Sequence, residues 1–277
     1  FLIIALSSGA SFSNEKSLSE KFIKSYGIKA AVAQLLLVGV PSDYNNISSN
    51  KATKEIAKLG VGGFFINAYN LPSVGYLDKM TSEGAFKQVN FFIEQLKLYH
   101  PRRGDLLVAV DFENVRYTSL RYPLILPPSA MTLSASNSLE KAEVAGELVG
   151  YQLRDIGVNV LLGPVLDLDM GVQGVRNPNL TNRSFGGDPK MVTLFAGSFL
   201  NGLNSYGVSS FAKHFPSLTH VSTNLHYNSK VKYNGNFKTL VDNLEPFSQL
   251  SEQFEGVMTS HVWLNQRSSN KPVTTSG

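Results

Sequence analysis

Lys213-His214-Phe215-Pro216 ends a short apolar run, and another histidine, His226, follows in the next polar stretch. Val208 to Ala212 reads as a buried strand, so the Lys213 ammonium and the His214 imidazole fall where that strand stops. In α/β folds, ligands bind and chemistry is built at the C-terminal ends of strands. A cation, an imidazole and a second imidazole on a loop can hold a polyhydroxylated ligand and move a proton. The same residues also fit a plain strand end with a surface lysine and a hydrogen-bonded histidine. Other segments must decide between the two.

Other strand ends carry similar groups. Leu106 to Val110 runs into Asp111, with Glu113 and Arg116 close behind. Val158 to Leu162 leads through Pro164-Val165-Leu166-Asp167 to Asp169. The long loop after it holds Asn182-Arg183-Ser184-Phe185-Gly186, and the segment Val257 to Ser260 stops at His261. Together these make a ring of acids, bases and hydrogen-bond donors with few apolar side chains. Sugars require such a set: fixed carboxylates and cations for the hydroxyls, and an acid for the glycosidic oxygen. Each residue has a structural alternative. Asp111 can cap a loop, Asp167 can hold loop backbone, Arg183 can pair with a nearby carboxylate, and His261 can be a satisfied histidine at the rim. No His-x-x-x-His spacing and no cysteine is present, so a metal site is not expected. No Gly-x-Ser-x-Gly elbow suggests a serine nucleophile.

The elements that position these residues alternate. Gln34 to Val40 and Val61 to Ile66 read as strands. Ser82 can cap a helix to about Tyr99, with Phe86, Val89, Ile93 and Leu96 on one face. Asn137 with Glu140 resembles a capping box for a helix whose stripe is Ala142, Ala145, Val149, Leu153 and Ile156. Asp188-Pro189 opens a third, with Val192, Phe195, Phe199 and Leu203 on one face. Another helix spans about Leu240 to Glu255. Gly157, Gly207 and Gly256 each make a tight helix-to-strand turn, whereas the strand-to-helix connections are long and polar. Near-continuous apolar strands alternating with helices predict a parallel sheet covered on both faces. The loop asymmetry favours a TIM-type (β/α)8 barrel, C-terminally incomplete, with about six strands. A doubly wound sheet would carry a Gly-rich phosphate loop after its first strand, and Val38-Gly39-Val40-Pro41 is not one.

The chain has 277 residues, 43% hydrophobic and 17% charged, ordinary globular composition. The net charge of +4 is modest and the basic residues are scattered, so nucleic acid is not an expected partner. Phe1 to Leu6 is apolar and precedes small residues around Ala10, like the tail of a secretory signal peptide. Residues 1–20 are therefore expected to be a leader remnant or a flexible N-terminus, and residues 21–277 the folded domain. Export to the periplasm or outside is expected, with the cytoplasm as the alternative. No other run reaches the ~20 apolar residues of a membrane span.

Seven segments, in order, resemble the N-terminal barrel of glycoside hydrolase family 3, most closely its bacterial β-N-acetylglucosaminidases. Val110-Asp111-Phe112-Glu113-Asn114-Val115-Arg116 resembles V-D-Q-E-G-G-R, and Pro128-Ser129-Ala130-Met131 matches P-S-A-M. Pro164-Val165-Leu166-Asp167 matches P-V-L-D, and Asn182-Arg183-Ser184-Phe185-Gly186 matches N-R-S-F-G. Lys213-His214-Phe215-Pro216 opens K-H-F-P-G-H-G, Met258-Thr259-Ser260-His261 resembles M-x-A-H, and Pro272-Val273-Thr274-Thr275-Ser276 resembles P-A-T-L-S. The resemblance implies that Asp111 binds sugar hydroxyls in a deep subsite. It implies that Arg116, Arg183, Lys213 and His214 hold the sugar and its N-acetyl group. His226 falls where the subgroup places a loop histidine as acid/base, with residue 224 as its partner. A retaining mechanism through a covalent glycosyl-enzyme and no cofactor are also implied.

Two departures stand out. The family's G-H-G is Ser217-Leu218-Thr219 here, and the Asp of its D-S-H is Asn224 before Leu225-His226. Asn orients an imidazole but supplies no charge to stabilise the imidazolium; in serine hydrolases the comparable change costs about 10⁴ in rate. His220 is a second candidate acid/base. The family nucleophile, an Asp ending strand seven, falls beyond Gly277. The expected function is hydrolysis of β-linked N-acetylglucosamine in wall-derived or chitin-like oligosaccharides. The alternatives are a catalytically degenerate relative that binds sugar or a partner, and a family 3 β-glucosidase.

Overall fold

The computed structural model describes residues 4–6, 12–41, 43–102, 104, 106–114, 117–170, 177, 180–223, 230–264 and 271–275. In chain order the elements are β1 (Ile4–Leu6), α1 (Phe12–Gln34), β2 (Leu37–Gly39), α2 (Lys51–Lys58), β3 (Gly63–Phe65), α3 (Val74–Leu77), α4 (Ser82–Tyr99) and β4 (Leu107–Val110). They continue as α5 (Ala130–Ala135), α6 (Leu139–Asp155), β5 (Val160–Leu161), α7 (Pro189–Asn204), β6 (Ser209–Phe215), β7 (Val231–Tyr233), α8 (Phe237–Gln249), β8 (Gly256–Thr259) and β9 (Val262–Leu264). Strands β2, β3, β4, β5, β6 and β8 pair in parallel, in that order across the sheet. They curl into an incomplete barrel with the helices outside, as the alternation predicts.

The strands read as continuous apolar runs because both faces are covered. Val108, Val110 and Leu161 pack into the layer between sheet and helices. Their neighbours Ala109, Val160 and Leu162 point the other way and meet Phe211 inside the barrel. This is the two-residue period of a strand, with apolar residues required on each side. β1 pairs antiparallel with the edge of β8, Ile4 opposite Met258, and occupies backbone groups that an open edge leaves bare. β7 and β9 form a separate two-stranded parallel sheet.

Helix boundaries shift by a residue or more from the sequence reading, and the caps explain why. Thr81, not Ser82, accepts the Gly84 N–H at the start of α4. Ser138, not Asn137, accepts the Lys141 N–H at the start of α6, while Asn137 turns the chain at φ 51°. Asp188 and Pro189 open α7 as expected, Asp188 accepting from Lys190. Gly157 and Gly207 occupy φ of 87° and 65°, conformations that favour glycine over residues with a Cβ. Gly256 makes no such turn: it is the first residue of β8, opposite Phe211, and residues 250–255 form the connection from α8. That helix runs over Phe237–Gln249, capped by Asn236, so it is shifted toward the N-terminus.

α6 and α7 cross at two glycines. A Cβ on Gly146 would lie 2.0 Å from the Phe199 carbonyl oxygen, and one on Gly202 would lie 2.1 Å from that of Glu143. Both obstacles are helical backbone, which cannot yield as a side chain does. Gly146→Ala should therefore destabilise by at least the roughly 1–3 kcal/mol typical of overpacking. Urea unfolding measures this, and a loss under about 0.5 kcal/mol would show that the helices separate freely.

Candidate active site

Because the six strands are parallel, the loops after β3, β4, β5, β6 and β8 gather at one end. They enclose a cavity of about 710 Å³. Its wall includes Asn67 and Tyr69 after β3, Asp111 and Glu113 after β4, Arg183 from the loop after β5, Lys213 and His214 from β6, and His261 after β8. Asp111, Arg183, Lys213 and His214, from three neighbouring strand ends, thus meet as the sequence predicts. Arg116, Asn224 and His226 lie outside the described residues.

Lys213 is the centre of the charge network. It is only 2% exposed, and its ammonium reaches Asp111 Oδ1 at 2.7 Å, Glu113 Oε1 at 2.6 Å and the Leu162 carbonyl at 2.6 Å. Glu113 also takes a two-pronged contact from Arg183, Nε at 2.7 Å and an Nη at 2.8 Å. Arg183 stacks its guanidinium over the Tyr117 ring, 4.3 Å from the centroid. Burial alone would neutralise these groups, yet each stabilises the charge of the next. Burial pushes the Glu113 carboxyl up, but Lys213 and Arg183 outweigh it and hold its pKa at about 2. Burial likewise works against the Lys213 ammonium, and Asp111 and Glu113 overcome it, so that pKa is raised. Asp111 is the network's carboxylate most open to the cavity, its side chain 34% exposed against 10% for Glu113. It is placed to accept hydroxyl hydrogen bonds while the Lys213 ammonium, 2.7 Å from Oδ1, holds it in position.

His214 is held by a separate partner. Asp167, fully buried, accepts its backbone N–H at 3.1 Å and contacts its ring Nδ1 at 2.7 Å. Burial lowers the His214 pKa more than Asp167 raises it, so the ring is neutral near pH 7. In a neutral ring the nitrogen against a carboxylate carries the proton, which leaves Nε2 as an acceptor. Asp167 accordingly takes the structural role that was its alternative reading, and acts on the cavity through His214. Arg183 realises its alternative too, paired with Glu113 while still lining the cavity.

The Ser217-Leu218-Thr219 segment, where the family has G-H-G, forms a pinned turn. Leu218 N–H donates to Asp167 Oδ1 at 2.5 Å, the Ser217 hydroxyl to Asn243 at 2.9 Å, and the Thr219 hydroxyl to the Leu168 carbonyl at 2.7 Å. All three residues are buried. His220 follows at φ 60°, its ring edge-on to Tyr233, in contact with the small sheet and outside the cavity wall. His261 does line the cavity, with Nδ1 2.7 Å from the Thr274 hydroxyl. Among the described residues, no group of His, Cys, Asp and Glu is arranged to hold a metal ion, and no helix is long and apolar enough to cross a membrane.

The sequence reading missed the keystone role of Glu113 and the β3 contribution. Asn67-Ala68-Tyr69 follows the apolar run Val61 to Ile66 directly, so the strand-end rule that found Asp111 would also have found them.

Comparison with known proteins identifies relatives of the chain and of its fold. A β-hexosaminidase of Methylococcus capsulatus is 33% identical over 174 residues, covering 61% of this chain and 51% of that protein. One from Pseudomonas aeruginosa is 31% identical over 161 residues, 58% of this chain and 47% of that protein. The chain spans about half the length of these curated relatives. A glycoside hydrolase family 3 β-N-acetylglucosaminidase from Paenibacillus superposes with a TM-score of 0.76 at 24% identity, over 89% of this chain and 44% of that one. NagZ from Neisseria gonorrhoeae, in complex with N-trifluoroacetyl-D-glucosamine, superposes at 0.71 and 23% identity, over 85% and 66%. These two likenesses establish the fold. The glycosyl hydrolase family 3 N-terminal domain profile matches residues 28–277, and the chain belongs to that family.

Proposed function

We propose that this chain is the sugar-binding barrel of a β-N-acetylhexosaminidase that cleaves terminal β-linked N-acetylglucosamine from wall-derived or chitin-like oligosaccharides. One observation carries the reading: Lys213 draws the half-exposed Asp111 and the buried Glu113–Arg183 pair together on one cavity wall. Asp111 accepts sugar hydroxyls there, and His214 Nε2 accepts a further hydroxyl or amide hydrogen. The relatives named β-hexosaminidase support the same activity class. In this reading His226 is the acid/base of a retaining mechanism, Asn224 orients it, Arg116 adds a cation to the sugar subsite, and a strand-seven aspartate is the nucleophile. The protein acts outside the cytoplasm.

A second reading has two features in its favour. The buried turn at Ser217-Leu218-Thr219 is stiffer than a Gly-His-Gly turn, and Asn224 lacks the charge of an Asp. Both features suit a relative that binds sugar without turning it over. Turnover of a chromogenic β-N-acetylglucosaminide by the full-length protein separates the two. The enzyme reading expects low activity, a gain of about tenfold or more in Asn224→Asp, equal to about 1.4 kcal/mol in the barrier, and loss in His226→Ala. Retained sugar binding with no turnover in any variant would establish the binding relative.

A further inference from the structure

The end of the barrel opposite the cavity carries the chain's charge imbalance. Residues 21–62 hold six lysines and two acidic residues, a balance of +4 that equals the net charge of the whole chain, so the remainder is neutral. This segment covers most of α1, then β2 and α2, and hydrogen bonds gather it at the turn before β3. Gln34 Nε2 donates to the Gly60 carbonyl at 2.7 Å, and Arg102, ahead of β4, donates to the same carbonyl at 3.1 Å. Arg102 also stacks on the Phe22 and Tyr26 rings, 5.1 and 5.3 Å from their centroids. α1 is thus fastened at the N-terminal ends of the strands, whereas the cavity lies at their C-terminal ends. The helix breaks at Gly27, at φ 81°. Beyond the break Ala33 is buried, while Ile28, Val32 and Leu35, spaced as one helical face, are 65%, 52% and 81% exposed. Leu36 and Leu59, beside the same turn, are exposed too. Lys24, Lys29 and Lys58 are exposed and join no ion pair among the described residues.

We infer that this face is a docking surface for an anionic lipid bilayer. Single exposed apolar side chains are ordinary, but several gathered at one end of a barrel and flanked by lysines are not. Water solvates lysine and rejects leucine, whereas the headgroup boundary of a bilayer accepts both. Its acyl edge takes Ile28, Val32 and Leu35. Its phosphates take the ammonium groups, whose methylene stems lie along the apolar zone. The charge selects this occupant over a second copy of the chain. Pairing the face with itself would set Lys24, Lys29 and Lys58 of one copy against those of the other, and like charges repel. Because the face and the cavity are at opposite ends of the strands, the adsorbed barrel presents its cavity to solvent. The inference stands on this face alone and does not depend on which ligand the cavity takes.

Co-sedimentation with lipid vesicles tests it. The chain should partition onto vesicles of equal parts phosphatidylglycerol and phosphatidylcholine at least about tenfold better than onto phosphatidylcholine alone. Raised salt should shrink that difference. Lys24→Gln, Lys29→Gln and Lys58→Gln should each weaken partition about fivefold, and the triple variant about 100-fold. Leu35→Ser should weaken it about tenfold. At 81% exposure Leu35 packs on nothing that folding needs, and an unchanged circular dichroism spectrum checks this. Leu35→Trp should keep binding and gain a blue-shifted emission on anionic vesicles that the native protein, with Trp263 alone, lacks. Equal partition onto both kinds of vesicle, or full partition by the triple lysine variant, would overturn the proposal. So would concentration-dependent self-association abolished by Leu35→Ser, which would assign the face to a second copy.

Discussion

Glu113→Ala should destabilise the protein by about 3–5 kcal/mol, because it leaves two buried cations facing each other without their shared carboxylate. Lys213 is 2% exposed and Arg183 is 8% exposed, so neither can turn to water. Lys213 keeps Asp111, but Arg183 loses a contact at 2.7 Å and another at 2.8 Å. Chemical denaturation at neutral pH measures the loss, and a change under about 1 kcal/mol would show that water reaches the cluster. The pH dependence checks the same point. The folded pKa of about 2 lies below the ordinary 4.5, so the ionised form is favoured by folding. Its contribution is present above about pH 4.5 and is lost as pH falls toward 2. On the order of 3 kcal/mol is expected to disappear over that window. The Glu113→Ala variant should lack this component, and an acid limb identical in both proteins would assign it to other carboxylates.

Asp167→Ala should cost a comparable amount and also disable His214. The carboxylate, with no solvent exposure, accepts from two backbone N–H groups, His214 and Leu218, and from the His214 ring. Removing it strands three donors in the interior, each at about 1–3 kcal/mol. Asp167→Asn separates shape from charge. Its amide can still accept at one oxygen, yet it no longer selects the Nδ1-protonated ring. Nitrogen-15 NMR of His214 should report Nδ1–H in the native protein and a mixed or inverted tautomer in Asp167→Asn. N-acetylglucosamine affinity should fall with it, by roughly tenfold, the loss of one good hydrogen bond. Unaltered tautomer and affinity would mean that backbone packing alone aims the imidazole. The depressed His214 pKa adds a second pH term: neutrality is favoured by folding, so this contribution is intact above about pH 6.5 and is lost as pH falls below it.

Local sequence determined the architecture because each signal for it acts over a few residues. The stripes Ala142, Ala145, Val149 and Leu153, and Val192, Phe195, Phe199 and Leu203, are buried in the helices that their period predicts. Gly157 and Gly207 end helices at the φ values that call for glycine. The placement of Asp111, Lys213 and His214 just after apolar runs was enough to put them at one end of a parallel sheet. Helix starts were less legible, since Thr81 and Ser82, or Asn137 and Ser138, are chemically equivalent caps until the backbone chooses one. What pairs with what was decided by the tertiary structure. Glu113 and Arg183 are separated by 70 positions, and Asp111 and Lys213 by 102. No sequence period links residues so far apart. The barrel's curvature brings them within 3 Å, and burial then makes each charge depend on its neighbour. For that reason the sequence by itself named the groups of the site, while only the fold revealed that Glu113 holds them together and that Asp167 serves through His214.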